Sequence, residues 1–298
     1  MTQPVAVPLT HRGVLEVGGA DAREFLQGIT SNDVHQIGDE HTIWTGFLTP
    51  QGKFQHEFFA AKSPGDTLWL DCEAERRDHL LKRLKVFKLR ADVTLTERDD
   101  LTVYALLGVR ALGLLDLPAM EGYTRGFGGG VAFVEPRLGT LGGRAVLPAD
   151  SAPRTLESAG FAFGDLADYD ATRVELGIPD GSRDLEPERA TLMESGFDEL
   201  HGISWDKGCF MGQELTARMK YRGLAKKRLV PVRIEGPPPE PGTQVQRGKK
   251  VAGTVRTAVD GVGLALLKLD QIDAGQDAEP LLANEATLTP EKPSWANF

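Results

Sequence analysis

The spacing of hydrophobic positions predicts strands and helices in an irregular order over the first hundred residues. The clearest helix is Glu75–Phe87, whose apolar residues recur three or four positions apart on one face. A shorter helix is predicted from a cap at Asp21 through Leu26. The predicted strands are 13–17, 43–48, 54–60, 68–72, 91–97 and 101–107. Because these elements do not alternate as regular βαβ units, the pattern favours an α+β fold.

Beyond residue 226 the pattern changes to short strands separated by turn residues. The strand candidates are 228–234, 250–257 and 262–269. Closely spaced short strands predict a small barrel or sandwich. Residues 285–298 are interpreted as a tail pinned by Trp295. We therefore predict two domains, an α+β region of two intertwined subdomains at 1–225 and a β-barrel with its tail at 226–298.

Composition narrows the class of protein. A net charge of −9 argues against broad binding to nucleic acid, and no run of eighteen apolar residues is long enough to span a membrane. The N-terminal residues lack the features of a secretory signal or an organelle transit peptide. Two cysteines are too few for a disulfide framework and indicate a reducing compartment. We expect a cytoplasmic protein with no membrane partner, no direct nucleic-acid binding and no metal site, since the histidines lack metal-site spacing.

The segment Lys207–Glu214, with the sequence KGCFMGQE, carries the strongest chemical signal. Cys209 lies between two glycines, which permit a sharp turn or a close approach to a ligand. A helix is predicted to follow, and both that helix and the neighbouring Lys207 favour the thiolate form of Cys209. The alternative is an inert cysteine in a tight turn. Cys72, within a predicted strand, is interpreted as a packing residue.

Basic side chains are concentrated in two runs. Residues 207–228 contain seven lysines and arginines against one acid, Glu214. Residues 82–90 contain five basic residues and no acid. The first run begins at the cysteine turn and is a candidate anion site. The alternative for both runs is a solvated helix face.

The octapeptide resembles the K-G-C-[FY]-x-G-Q-E signature of the YgfZ family of folate-binding proteins. That family is a branch of the group typified by the glycine-cleavage aminomethyltransferase, the T-protein. Further segments resemble family blocks and occur in the family's order. They are Phe25–Val34, Leu48–Lys53, Pro136–Gly139 with Gly143–Arg144, and Arg173–Pro179.

The resemblance implies a T-protein-like multi-domain folate-binding fold of the α+β class with a small C-terminal β-barrel. It implies tetrahydrofolate, or a one-carbon derivative of it, as the cofactor. Glu194 matches the acid of the T-protein's E-A-G-L block, where one carboxylate accepts adjacent pterin N–H groups; a plain surface glutamate is the alternative. Arg218 and Arg222, four apart, are candidates for the carboxylate tail of folate, and Asn32 and Asp33 are further folate-binding candidates.

The resemblance also implies a role in the assembly or repair of iron–sulfur enzymes, including tRNA-modifying ones. The expected partners are folate and iron–sulfur client or assembly proteins. Cys209 and Lys207 are the catalytic candidates. One cysteine cannot hold a cluster that normally takes four ligands. Cys209 either shares a cluster with a partner or acts in thiol or one-carbon transfer, and the sequence leaves both open.

One block departs from the T-protein. Its G-G-x-x-D-D motif carries an acid that manages proton transfer at the folate nitrogen. Here the aspartate pair is replaced by His56 and Glu57. The alternative function is an active folate-dependent aminomethyltransferase or one-carbon transferase that uses one of these residues. Whether the protein is an enzyme at all is left open.

Overall fold

The computed structural model describes residues 3–272 and 278–298. The chain forms two compact units. Unit 1 comprises the residues up to Pro50, Gln55–Tyr169 and Leu200–Gln213, and unit 2 comprises Gln51–Phe54, Asp170–Glu199 and Glu214–Phe298. Each unit therefore combines segments that are distant in sequence. The division at residues 225 and 226 stays a prediction.

Unit 1 contains two β-sheets and short helices. Its strands are β1 (Val5–Pro8), β2 (Arg12–Gly18), β3 (Ile43–Leu48), β4 (Phe54–Lys62), β5 (Leu68–Glu73), β6 (Thr94–Glu97), β7 (Leu101–Leu107), β8 (Thr124–Phe127), β9 (Gly130–Val134), β10 (Gly143–Pro148) and β11 (Ala162–Phe163). Its helices are α1 (Ala22–Ile29), α2 (Arg77–Lys88), α3 (Ala111–Leu114) and α4 (Ala152–Ser158). One sheet has the order β3-β4-β5-β2-β6 and the other β11-β1-β7-β10-β9-β8.

The sequence pattern located strands β2 to β7 and helices α1 and α2, with small shifts at their ends, and did not predict β1, β8 to β11, α3 or α4. Helix α2 begins at Arg77 and buries Leu80 and Leu84, as its apolar spacing predicted. Helix α1 runs three residues beyond the predicted end. The predicted cap at Asp21 is wrong in detail, because its carboxylate accepts a hydrogen bond from the Asp92 backbone N–H at 2.8 Å and makes no side-chain cap. Asp21 and Asp92 are 71 positions apart, so the local spacing of residues could not predict this hydrogen bond.

Unit 2 is built around a closed barrel with the strand order β12-β15-β14-β13-β16-β17. Its strands are β12 (Lys227–Glu235), β13 (Gln244–Arg247), β14 (Lys250–Val259), β15 (Val262–Lys268), β16 (Leu281–Ala283) and β17 (Ala286–Pro290). The remaining α-helices of the described residues are α5 (Leu166–Glu175), α6 (Gly181–Asp184), α7 (Gln213–Arg222) and α8 (Leu269–Ile272). The predicted barrel is therefore present.

The predicted tail from residue 285 is wrong in its first part. Ala286–Pro290 forms β17, which pairs with β12 and closes the barrel. Asn284 takes a positive φ of 55° and makes the turn between β16 and β17, a conformation that asparagine tolerates. The predicted anchor is found at Trp295, whose indole N–H donates to the Leu176 carbonyl at 2.8 Å.

A buried ion network joins the two sheets of unit 1. Asp71 on β5 accepts from Arg12 Nε at 2.7 Å with one oxygen and from Arg144 Nη1 at 2.6 Å with the other. Arg12 also pairs with Glu57 on β4 at 2.5 Å. All four side chains are at most 1% exposed. Since Arg144 belongs to β10, its bond to Asp71 connects one sheet to the other.

The network continues around Phe59. Arg137 Nε donates to Glu135 at 2.7 Å, and both of these groups are buried. The guanidinium carbons of Arg144, Arg137 and Arg12 lie 4.0, 4.8 and 5.6 Å from the centre of the Phe59 ring. A ring face attracts cations, so Phe59 complements the carboxylates in compensating three buried arginines.

We expect Asp71→Asn to destabilise unit 1 strongly. The substitution leaves two buried guanidinium groups without the carboxylate they share, and loss of one partner from a buried pair costs about 3–5 kcal/mol. Urea denaturation measures the free energy of unfolding. Asp99→Asn is the control, because Asp99 pairs with Arg77 at the surface and such pairs contribute about 1 kcal/mol or less. Equal losses in both variants would contradict a structural role for the network.

Candidate functional site

Cys209 lies exposed in the segment that precedes α7. Gly208 and Gly212 have φ angles of 90° and 81°, so both sequence positions require the left-handed freedom of glycine. The turn into α7 is fixed by the Gln213 side chain, whose oxygen accepts from the Phe210 backbone N–H at 3.1 Å. The sequence prediction of a sharp turn before a helix is confirmed.

Lys207 has a different environment from the one its catalytic assignment assumed. Its ammonium group donates to the backbone carbonyls of Gln27, Thr30 and Asn32 at 2.8, 2.5 and 2.8 Å. Two of these carbonyls lie at the C-terminal end of α1, where the helix dipole favours a cation. An ammonium group has three donors, and these contacts use all of them. In this geometry Lys207 fastens the cysteine segment to α1, while its catalytic role stays a prediction.

The same ammonium group is shielded from water. Burial lowers the pKa of Lys207 to about 8, and the Asp33 carboxylate opposes that shift. At neutral pH the group is still mostly protonated, so it can supply all three protons. The Phe210 ring adds a cation–π contact, with Nζ 5.3 Å from the ring centre.

Asn32 and Asp33 hold the loop that Lys207 contacts. The Asn32 amide donates to the carbonyls of Trp44 and His201 at 2.8 and 2.7 Å, and its oxygen accepts from the Asp33 N–H. Asp33 accepts from the Gln27 amide at 2.9 Å and caps a short 3₁₀ turn. Asn32 is 8% exposed and its amide atoms are already bonded. The folate-binding assignment of both residues stays a prediction.

Glu194 lies in a short 3₁₀ turn of unit 2, half-buried. One of its oxygens accepts from the Thr191 hydroxyl at 3.0 Å, which fixes the orientation of the carboxylate. Gly196 follows in the left-handed region with φ 78°. A carboxylate has about four acceptor positions, so the Thr191 contact leaves capacity for a ligand.

The basic run at 207–228 divides into paired and exposed cations. Lys220 pairs with Asp198 at 3.1 Å, and Arg228 is buried against Glu199 and the Met193 carbonyl. Arg218 and Arg222 are exposed on α7. Neither of the two forms an ion pair within residues 3–272 and 278–298, so both are accessible to an anionic ligand.

The structure therefore places the predicted residues in two groups. Lys207 contacts Asn32 directly and lies in unit 1 with Asp33 and Cys209. Glu194, Arg218 and Arg222 belong to unit 2. Sequence reasoning missed Gln27, whose side chain also accepts from the Val34 N–H at 2.8 Å and so braces the loop beneath Lys207. Its position inside the Phe25–Val34 block was the available signal.

The residues that replace the T-protein aspartates are both committed to structural contacts. Glu57 is 1% exposed and uses one oxygen for Arg12 and the other for the Trp44 indole N–H, each at 2.5 Å. His56 is buried, and its Nε2 lies 2.7 Å from Nδ1 of His79. Burial and the positive Arg76 lower the pKa of His56 to about 2, so the ring is neutral. The T-protein arrangement of a free acid is not reproduced by either residue.

Residues 3–272 and 278–298 contain no group of three or more His, Cys, Asp or Glu side chains arranged to hold a metal ion. Among the helices of the same residues, none is both long and apolar enough to cross a membrane.

Comparisons with known proteins agree with this geometry. A family model described as the C-terminal β-barrel domain of CAF17 matches residues 226–298. The mitochondrial iron–sulfur cluster assembly factor IBA57 of Mus musculus is 31% identical, over 96% of this chain and 84% of its own length. The Homo sapiens IBA57 is 30% identical with the same coverage. The chain belongs to the IBA57 family of iron–sulfur cluster assembly factors. These matches support the broader family of the YgfZ resemblance without singling out YgfZ.

A solved structure shows the fold. The glycine cleavage system aminomethyltransferase T of Bartonella henselae matches 99% of this chain and 87% of its own chain with a TM-score of 0.74. At 14% identity this likeness shows the fold alone. The predicted T-protein-like α+β fold with a C-terminal barrel is confirmed.

The expected cytoplasmic location is contradicted. The IBA57 relatives from mouse, human and Mycosarcoma maydis are all named as mitochondrial proteins. The prediction combines the N-terminal composition with the cysteine count, and the cysteine count indicates redox conditions without identifying a compartment.

We expect Lys207→Met to release the cysteine segment from α1. Three carbonyls lose their shared donor, and an unsatisfied buried polar group costs about 1–3 kcal/mol. Hydrogen exchange should become faster at residues 205–211 and 27–33, with a matching fall in the free energy of unfolding. Lys226→Met is the control, because Lys226 is exposed. Unchanged exchange at both segments would show that Lys207 does not hold the loop.

Proposed function

We propose that this IBA57-family protein binds tetrahydrofolate, or a one-carbon derivative of it, and supports the assembly or repair of iron–sulfur enzymes. Its clients would include tRNA-modifying enzymes. The observation that carries the proposal is an exposed Cys209 on a segment that Lys207 fastens to the end of α1. Exposure makes the thiol accessible to a partner, and the fastening gives it a fixed position.

Cys209 offers one sulfur ligand. An iron–sulfur cluster normally takes four, so a cluster handled here as cargo would take its other ligands from a partner protein. A thiol-transfer role would need the same accessibility. Both alternatives require an iron–sulfur client or assembly protein to approach Cys209, and both predict that the sulfur is essential.

The residues of unit 2 fit the chemical demands of folate. A pterin edge presents adjacent N–H donors, which the oriented carboxylate of Glu194 can accept together. The glutamate tail of folate is anionic, and Arg218 and Arg222 are exposed cations one helical turn apart. These three side chains would bind and orient the folate. The one-carbon chemistry would be supplied by the folate itself when bound.

The alternative function, an active aminomethyltransferase, is less well supported. It needs a carboxylate free to manage a proton at the folate nitrogen. Glu57 is held by Arg12 and Trp44, and His56 is neutral and bonded to His79. We infer that glycine-cleavage chemistry is absent.

We expect Glu194→Gln to weaken tetrahydrofolate binding about ten- to a hundredfold. Loss of a charged acceptor for two N–H donors corresponds to roughly 1.5–3 kcal/mol. Calorimetric titration measures the dissociation constant. Glu214→Gln is the control, because Glu214 is an exposed acid on α7. An unchanged constant in Glu194→Gln would reject the pterin assignment.

The same titration tests the tail assignment with polyglutamylated folate. The wild type should bind it more tightly than the monoglutamate, and added salt should reduce the difference. Arg218→Gln with Arg222→Gln should remove the difference. Equal affinities for both forms in the wild type would leave the two arginines as solvated surface.

We expect Cys209→Ala to fold and bind folate but to fail in restoring iron–sulfur enzyme activity to cells that lack the protein. Cys72→Ala is the control. Burial raises the pKa of Cys72 to about 12, so little reactive thiolate forms there and iodoacetamide should label Cys209 first. Full complementation by Cys209→Ala, or faster labelling of Cys72, would reduce the motif to a structural turn.

A further inference from the structure

The outer surface of α2 carries cations and exposed aliphatic side chains together. Lys82, Lys85 and Val86 follow the three- and four-residue spacing of one helical face, and Leu89 and Arg90 continue it at the turn where α2 ends. We call these five residues the α2 basic face. Val86 is 61% exposed and Leu89 is 85% exposed, so neither contributes to the core.

The charges of the α2 basic face are not balanced within the protein. Nearby cations are balanced, since Arg77 pairs with Glu97 and Asp99. Lys82, Lys85 and Arg90, by contrast, form no ion pair in the part of the chain that the structure describes. This excess of positive charge occurs on a chain whose net charge is −9.

Two further arginines of this region do not belong to the α2 basic face. Arg76 Nη1 lies 3.6 Å from the Glu73 carboxylate, and the Arg83 guanidinium packs over the Phe87 ring, 5.1 Å from its centre. The positive charge open to a partner is therefore that of Lys82, Lys85 and Arg90.

The α2 basic face is connected to the cysteine segment through one residue of β3. The Phe87 ring of α2 packs edge-on against Phe47 at 5.9 Å. Phe47 forms a β-bridge with Thr30, whose carbonyl accepts from Lys207. The end of α2 and the segment that carries Cys209 are therefore linked within unit 1 through Phe47 and its bridge partner Thr30.

We propose that the α2 basic face docks an acidic protein partner. Carboxylates of that partner would meet Lys82, Lys85 and Arg90, while an apolar spot would cover Val86 and Leu89. This arrangement of apolar centre and charged rim is typical of transient protein interfaces. The inference rests on the proposed function in one respect, because the partner is taken to be the protein that uses the Cys209 sulfur.

Other anionic occupants fit the surface less well. A helix that binds a membrane inserts a continuous apolar stripe. The stripe of α2 is buried, with Leu80 and Leu84 both 0% exposed, so only two aliphatic side chains remain for lipid. The net charge of −9 disfavours nucleic acid at longer range.

The test compares two charge-reversed proteins in cells that lack the endogenous one. The first carries Lys82→Glu, Lys85→Glu and Arg90→Glu. The control carries Arg110→Glu, Arg154→Glu and Lys249→Glu, three exposed cations on other surfaces. Both change the net charge equally. A photo-crosslinking amino acid, p-benzoylphenylalanine, placed at Leu89 reports the contact directly, and the mass and isoelectric point of its adduct report the chemistry of the partner.

We expect the first triple variant to lower the yield of an acidic-protein adduct at least about tenfold and to lose restoration of iron–sulfur enzyme activity. The control, and a variant with Lys82→Arg, Lys85→Arg and Arg90→Lys, should retain both. All three should keep wild-type folate affinity and thermal stability, which separates docking from folding.

The outcomes separate this proposal from the proposed function. Full complementation by the first triple variant, while Cys209→Ala fails, would overturn the docking surface alone. Full complementation by Cys209→Ala would instead overturn the proposed function, while charge-dependent loss of the acidic adduct would still support docking. Binding of the purified protein to phosphatidylglycerol vesicles that only the first triple variant abolishes, without any protein adduct, would replace the protein partner with a membrane.

Discussion

Three arginines and three carboxylates buried together connect the two sheets of unit 1. Burial by itself lowers the pKa of Arg137 and Arg144, and the adjacent Glu135 and Asp71 carboxylates more than reverse that shift. Arg137 and Arg144 therefore remain charged, and each needs its carboxylate partner. Isolated buried charges are very costly, so the positions of β2, β4, β5 and β10 are coupled by the demand that every charge be compensated. The packing of one sheet of unit 1 against the other therefore depends on these ion pairs.

The cysteine segment depends on a second compensation of the same kind. Lys207 is shielded from water and satisfies its three protons on carbonyls at the end of α1 and in the loop that follows it. The Lys207 ammonium group stabilises carbonyls at the end of α1, where the helix dipole is negative. These carbonyls in turn accept hydrogen bonds that the ammonium group would otherwise make to water. Cys209, two positions along, is left exposed on a segment whose other end is fixed by the Gln213 turn. The motif thus combines a fixed backbone with an accessible sulfur.

The aminomethyltransferase-like fold has been kept while the local chemistry differs. Glu57 occupies the region in which the sequence comparison places the transferase acids, yet both of its oxygens serve the buried network. A carboxylate whose two oxygens are bound to a guanidinium and an indole N–H stabilises the fold and is not free to contact a ligand. This change agrees with membership of a family of iron–sulfur assembly factors.

The sequence by itself determined part of the secondary structure and the cysteine motif. Apolar spacing located α2 and strands β2 to β7, β12, β14 and β15, and the glycines flanking Cys209 indicated the turn that Gly208 and Gly212 make with positive φ. These are local properties, since each depends on residues a few positions apart. The role of Lys207 was decided only by tertiary structure, because its acceptors lie about 180 residues away in sequence. The same holds for Glu57, whose partner Arg12 is 45 residues distant, and for β17, which closes the barrel only by pairing with β12. Charge compensation and strand pairing join residues that are close in space but distant in sequence. The local spacing of residue types does not show which distant residues will be in contact.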